Sequence, residues 1–150
     1  MRFDIITIFP KIIEAYFNES IIRRAREKKL IDIKVWNLRY FTTDKHHKTD
    51  DRVFGGGPGM VMKIEPLVKA LKAVLNEARP RKKLTTRSDL VILLDAGGKQ
   101  FDSKMASDFS KKYKHIIFIC GRYEGVDERI KQIVKACGLK LVVLSVGSYV

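Results

Sequence analysis

The sequence predicts an α/β domain with a mainly parallel sheet covered by helices on both faces, and three observations predict it. Five short runs rich in β-branched or aromatic residues, at 3–8, 31–36, 90–94, 116–119 and 141–144, have the length and apolar continuity of buried strands. Between them apolar residues recur at helical spacing. Leu67, Leu71, Val74 and Leu75 form one face, Val126, Ile130, Ile133 and Val134 a second, and Met105 with Phe109 a shorter third. The resulting order, β-α-β-loop-α-β-α-β-α-β, is the alternation that specifies a parallel sheet with crossover helices.

Taken in order, the first run follows directly on Met1 and ends at Phe9-Pro10. Asp4 falls inside it and no cleavage site follows, so it reads as a strand rather than a signal segment, and the cytoplasm is the expected location. Asp102 or Ser103 is placed to cap the Met105–Phe109 helix. The stretch 76–88 is polar and basic and reads as a mobile connection. With 150 residues, 45% apolar, the chain has the size of one domain and enough material for a core. No apolar run approaches the roughly 18–20 residues of a membrane helix. Cys120 and Cys137 do not make a disulfide framework and read as buried free thiols; together with His46 and His47 they lack the spacing of a familiar zinc site. A net charge of +13 favours a polyanionic partner such as nucleic acid. Two blocks carry much of it: Arg23, Arg24, Arg26, Lys28 and Lys29, then Arg79, Arg81, Lys82, Lys83 and Arg87. Each reads either as a phosphate-binding surface or as solvated surface.

The chemistry concentrates after the strands, where ligands gather in parallel sheets. Residues 44–60 (DKHHKTDDRVFGGGPGM) hold two histidines, three aspartates and four glycines. Such a backbone approaches a ligand closely; the plainer reading is a surface linker. Three further loops follow strands: Asp95 to Gly98, Gly121 to Gly125, and Ser145 to Tyr149. All four are expected to converge on one edge, with Tyr123 and Tyr149 available to flank an aromatic ring. There is neither a dinucleotide G-x-G-x-x-G after the first strand nor a phosphate loop ending in Gly-Lys-Ser/Thr. A pocket of glycines and backbone polar groups suits a compact, adenosine-like ligand instead. Asp127 and Glu128 read as the acidic opening of a helix. Glu124, between Tyr123 and Gly125, reads as functional.

Asp44-Lys-His, Asp50-Asp51, the Gly55 to Met60 loop, residues 120–129 (CGRYEGVDER) and residues 145–150 (SVGSYV) together resemble the bacterial tRNA (guanine-N1)-methyltransferase family TrmD, of the SPOUT class. The resemblance covers residues 1–150 without a large gap. It implies a trefoil-knot α/β domain that binds S-adenosylmethionine, works as a homodimer with no membrane association, and methylates N1 of the guanosine 3′ to the anticodon in tRNA. Carried over by position, it assigns Leu93, Leu94, Asp95, Gly121, Tyr123, Glu124, Val146, Gly147 and Tyr149 to the cofactor. Asp50, Arg52 and Glu124 go to the catalytic site, and Gly55, Gly56, Gly57 and Gly59 to the tRNA side. Magnesium assists the family's reaction, with ligands that the resemblance does not place. Ser148 stands where the family usually has aspartate.

The family continues past the position of Val150 with the knot-completing helix, a segment bearing the presumed aspartate base, and a helical tRNA-binding domain. Residues 1–150 are thus expected to be an N-terminal cofactor-binding domain truncated before that helix, marginally stable and impaired in catalysis. The alternative is a non-catalytic basic RNA-binding module or an inactive fragment.

Overall fold

The computed structural model describes residues 1–53, 55–78 and 88–147. In chain order the elements are β1 (Arg2–Thr7), α1 (Pro10–Phe17), α2 (Ser20–Glu27), β2 (Asp32–Asn37), a 3₁₀ turn (Leu38–Phe41), β3 (Asp50–Arg52) and β4 (Met60–Met62). They continue with α3 (Ile64–Ala78), β5 (Asp89–Gln100), α4 (Ser103–Lys112), β6 (His115–Cys120), α5 (Arg129–Ala136) and β7 (Lys140–Ser145). Five strands form one sheet in the order β2-β1-β6-β5-β7, every neighbour parallel. The predicted architecture is therefore the observed one.

Strand alternation sends side chains to two faces. On one face Ile6, Val91, Leu93, Ile117 and Ile119 meet α3 through Leu67, Leu71, Val74 and Leu75, and α5 through Ile130 and Val134, all buried in one cluster. Burying each such side chain contributes roughly 1.5–3 kcal/mol. On the other face Leu90, Ile92, Ile116 and Leu144 pack with Met105 and Phe109 of α4. As expected, Asp102 caps α4, its carboxylate accepting from the Met105 amide at 2.7 Å. The same face near β1 and β2 is covered more thinly. Neither α1 nor α2 contributes a buried residue. An apolar groove of about 520 Å³ remains between them and the sheet, lined by Phe3, Ile5, Ile13, Phe17, Leu94 and Phe118 among others.

Four details differ from the sequence reading. The segment between β1 and β2 is two helices rather than one, broken at Asn18 and Glu19. A small antiparallel hairpin, β3–β4, stands inside the long loop. Val126 is not on the α5 face: it forms a bridge with Met62, because Gly125 at φ +135° keeps the backbone out of the helix until Arg129. Cys120 and Cys137 are free but only half buried, and burial pushes the Cys120 thiol up to about 11. Of the stretch 76–88, residues 76–78 belong to α3; residues 79–87, with the second basic block, lie outside the described residues. No helix among the described residues is long and apolar enough to cross a membrane.

Beneath the carboxyl end of α3, the amino ends of the strands share a buried polar cluster that the apolar pattern does not announce. Fully buried Asp4 accepts from Arg2 Nε at 2.7 Å, Trp36 Nε1 at 2.7 Å and His115 Nε2 at 2.7 Å. His115 Nδ1 lies 3.7 Å from Asp89. Arg2 also donates to Glu77 of α3, which pairs with Lys34, and Lys34 sits 4.2 Å over the Trp36 ring. One carboxylate thus links β1, β2 and β6.

Candidate functional site

Because all five strands run in one direction, the segments that follow them meet at the carboxyl edge. The 121–127 segment is laced to β4 by backbone hydrogen bonds: the Glu124 amide to Met60 O at 3.0 Å, the Met62 amide to Gly125 O at 3.0 Å, and the Asp127 amide to Met62 O at 3.2 Å. That lacing carries the glycine-rich loop against Glu124. A Cβ on Gly59, whose φ is +98°, would lie 2.4 Å from Glu124 Cγ. Gly59→Ala therefore combines a left-handed backbone with a side-chain clash, and a loss of about 1–3 kcal/mol in urea unfolding is expected. An unchanged unfolding midpoint would show that this loop does not hold Glu124. Gly55, Gly56 and Gly57 face open space, two of them at positive φ.

Between these segments lies a cleft of about 590 Å³. Its apolar floor is Val53, Val61 and Val126, and its rim carries Asp95, Glu124, Asp127, Glu128 and Arg129. A neighbouring groove of about 350 Å³ shares Val53, Val61, Asp127 and Arg129 and adds Asp51, Arg52 and Gly55. Asp127 is 9% exposed and is gripped by Arg129, whose Nη2 donates to Oδ2 at 2.6 Å and whose Nε donates to Oδ1 at 3.0 Å. The Arg129 guanidinium holds the Asp127 carboxyl below the usual range. Asp127 also accepts from the Arg129 amide at 2.9 Å, one position ahead of the helix cap Glu128, whose own side chain makes no capping bond; Asp127 thereby fixes a guanidinium between the two cavities. The motif gave one signal for this pairing: an arginine two positions after the aspartate.

The structure brings Asp95 and Glu124 to the same cleft. Asp50 and Tyr123 line neither cavity; the Tyr123 hydroxyl donates to Asp50 Oδ1 at the long distance of 3.5 Å, and Tyr123 itself adopts φ +61°. Arg52 belongs to the neighbouring groove. Leu93 has its side chain in the core, and Leu94 sends its side chain into the apolar groove on the far face. The Leu94 carbonyl is instead the group at the edge, 3.0 Å from where a Cβ on Gly121 would stand. Val146 is exposed after β7, and Gly147 has φ +141° with its amide donating to Ser145 Oγ at 3.2 Å. Ser148 and Tyr149 lie outside the described residues.

A parallel α/β sheet with glycine-rich segments beside an apolar, acid-rimmed cleft at its carboxyl edge is the arrangement of a small-ligand-binding α/β domain. The family described as tRNA (Guanine-1)-methyltransferase TrmD matches residues 1–150, and the chain belongs to that family. A tRNA (guanine-N(1)-)-methyltransferase of Dictyoglomus turgidum is 46% identical over 150 residues, covering 100% of this chain and 54% of that protein. The corresponding protein of Enterococcus faecalis is 46% identical over 134 residues, 89% of this chain and 52% of its own length. The chain therefore spans about half the length of these relatives. Among solved structures, the crystal structure of tRNA (m1G37) methyltransferase from Aquifex aeolicus superposes with a TM-score of 0.79 at 35% identity, covering 100% of this chain and 61% of that one.

Proposed function

We propose that residues 1–150 are the cofactor-binding domain of a SPOUT-class, trefoil-knot methyltransferase that uses S-adenosylmethionine to methylate N1 of the guanosine 3′ to the anticodon in tRNA. The observation that carries this reading is the family match over all 150 residues, taken with the cleft that its motif residues enclose. The cleft suits that cofactor chemically. Apolar Val53, Val61 and Val126 fit a flat adenosine-sized body, and the carboxylates of Asp95 and Glu124 fit a cationic centre. The close approach of Gly121 to the Leu94 carbonyl leaves backbone rather than side chain facing a ligand.

When bound, the cofactor supplies a methyl group on a positively charged sulfur. The protein's part is to orient the guanine edge and receive its N1 proton. Glu124 and Asp50 present carboxylates that accept from guanine N–H groups, and Arg52 a guanidinium suited to phosphate beside the open residues Gly55, Gly56 and Gly57. Magnesium belongs to this reading as an assisting ion. A homodimer does too, supported by the apolar groove under α1 and α2 and by exposed Ile12, Tyr16 and Ile21.

Calorimetric titration with S-adenosylmethionine, repeated with S-adenosylhomocysteine, tests the reading. Saturable binding near one site per chain is expected, weakened at least tenfold in Glu124→Gln, roughly the worth of one charge-assisted contact. Folded protein that gives no heat with either ligand would overturn it. Methylation of a tRNA transcript, compared with one carrying adenosine at the target position, then separates a catalyst from a module that only binds RNA.

A further inference from the structure

The edge opposite the cleft has its own chemistry. Backbone hydrogen bonds run across it without a break. The Met1 ammonium donates to Leu30 O at 3.0 Å and the Asp32 amide to Met1 O at 2.9 Å. The Arg2 amide donates to Lys114 O at 2.9 Å and the Lys114 amide to Ser88 O at 3.0 Å. Register then sets Lys140 opposite Leu90, itself opposite Ile116. Lys29, Lys114 and Lys140 therefore stand along the amino edge of a five-stranded sheet, which at about 4.8 Å per strand is roughly 19 Å wide. Exposed Lys28, Lys111, Lys112 and Lys135 flank them.

The acids of this region are mostly engaged elsewhere. Asp4 and Asp89 are buried, Glu77 pairs with Arg2 and Lys34, and Glu27 pairs with Arg23. Asp32 and Asp108 are exposed carboxylates. None of these seven lysines enters an ion pair among the described residues.

A second observation concerns the backbone at Lys29, one of four non-glycine residues at positive φ among the described residues. Helix α5 closes with Gly138 at φ +71°, the Leu139 amide reaching back to Val134 O at 3.2 Å. Helix α2 closes with the same motif, the Leu30 amide reaching Ala25 O at 3.0 Å, but the left-handed position is Lys29 at φ +55°. Glycine is the usual residue there because it has no Cβ to strain.

We infer that this amino edge is a docking surface for the sugar–phosphate backbone of RNA, separate from the cleft at the carboxyl edge. Ammonium groups spread over roughly 19 Å meet several consecutive phosphates, and such contacts position RNA without reading its sequence. The inference does not rest on methyl transfer.

The test is fluorescence anisotropy of a full-length tRNA transcript over a range of salt concentrations. The triple variant Lys29→Gln, Lys114→Gln, Lys140→Gln is expected to bind about tenfold more weakly, with a log–log salt slope shallower by about 2, from roughly 0.7 per lost phosphate contact. Its calorimetric response to S-adenosylmethionine should match that of the unaltered chain, so a failure of the cofactor reading leaves this result interpretable. The matching lysine-to-arginine triple should retain both affinity and slope. Lys29→Gly should melt about 2–4 °C higher while binding RNA less well. Unchanged affinity and slope in the glutamine triple would overturn the inference, and so would an equal loss in the arginine triple.

Discussion

Asp4→Ala is expected to cost about 3–5 kcal/mol of folding stability, the range for breaking a buried ion pair and stranding its partner. Three donors converge on this carboxylate at hydrogen-bonding distance; Arg2 keeps Glu77 as a second partner, whereas Trp36 Nε1 and His115 Nε2 lose their acceptor. The Trp36 indole and the His115 imidazole come from the strands on either side, and Arg2 from the same strand. Removing the acceptor leaves a half-buried indole N–H without its carboxylate and a nearly buried imidazole without its nearer acid. Against a total stability of roughly 5–15 kcal/mol for an ordinary domain, the loss is a large fraction. Urea unfolding of the variant checks it, and a change under about 1 kcal/mol would reduce the cluster to incidental surface pairing.

The same cluster sets a pH profile. Burial pushes the Asp4 carboxyl up, but hydrogen bonds from His115, Arg2 and Trp36 outweigh it and hold the group at about 2, against an ordinary 3.8. Its contribution is present above 3.8 and is lost as pH falls toward 2. His115 moves the other way. Burial disfavours its charged form, yet the hydrogen bond to Asp4 and the nearby Asp89 carboxylate raise it above 6.5. That contribution is complete below 6.5 and fades as pH rises through the higher folded value. The melting temperature should therefore decline on the alkaline side of 6.5, and His115→Gln should remove that decline while keeping much of the acid limb through Arg2 and Trp36.

The sequence announced this cluster only weakly. Asp4 stood out as a charge inside an apolar run, but the partners that make it stable lie 32 and 111 residues away. The strands themselves were legible because buried parallel strands are continuous apolar runs. Their ends were not: Arg2, Asp32, Asp89, His115 and Lys140 are polar residues whose backbones continue the ladder. The break between α1 and α2 was hidden because neither helix buries a residue, so apolar spacing there carries little information. The hairpin residues Asp50, Asp51 and Arg52 have no strand-like pattern at all; pairing with Met60, Val61 and Met62 makes them a strand. At the site, parallel topology was enough to predict that the segments bearing Asp95 and Glu124 would share one cleft; of the segment after β7, no described residue lines it. Which atoms would face inward depended on packing, and Leu93 and Leu94 point away from the cleft because strand alternation gives one to each face.

Gly98→Ala should be the most damaging small change at the carboxyl edge. Strand β5 pairs with β7 twice at Leu144, once from Leu94 and again from Lys99, so Asp95 to Gly98 bulge out between the two pairings. Closing that bulge brings Gly98 so near that a Cβ would sit 2.6 Å from Leu144 C, 2.7 Å from its N and 2.8 Å from its Cα. Leu144 is 1% exposed and held by both pairings to β5, so its backbone can yield only by giving up one of them. Overpacking of this kind costs about 1–3 kcal/mol. The bulge carries Asp95 into the cleft, so S-adenosylmethionine binding should fall at least about tenfold, the 1.4 kcal/mol equivalent of one displaced polar contact. Gly97→Ala is the informative neighbour. Its Cβ meets only Asp95 Oδ1, at 3.3 Å, a carboxylate that can turn by a few tenths of an ångström. A large loss at 98 beside a small one at 97 would locate the constraint in the double pairing at Leu144; equal losses would place it in the Asp95 turn, and wild-type binding by both would leave the bulge without a role in holding the cleft.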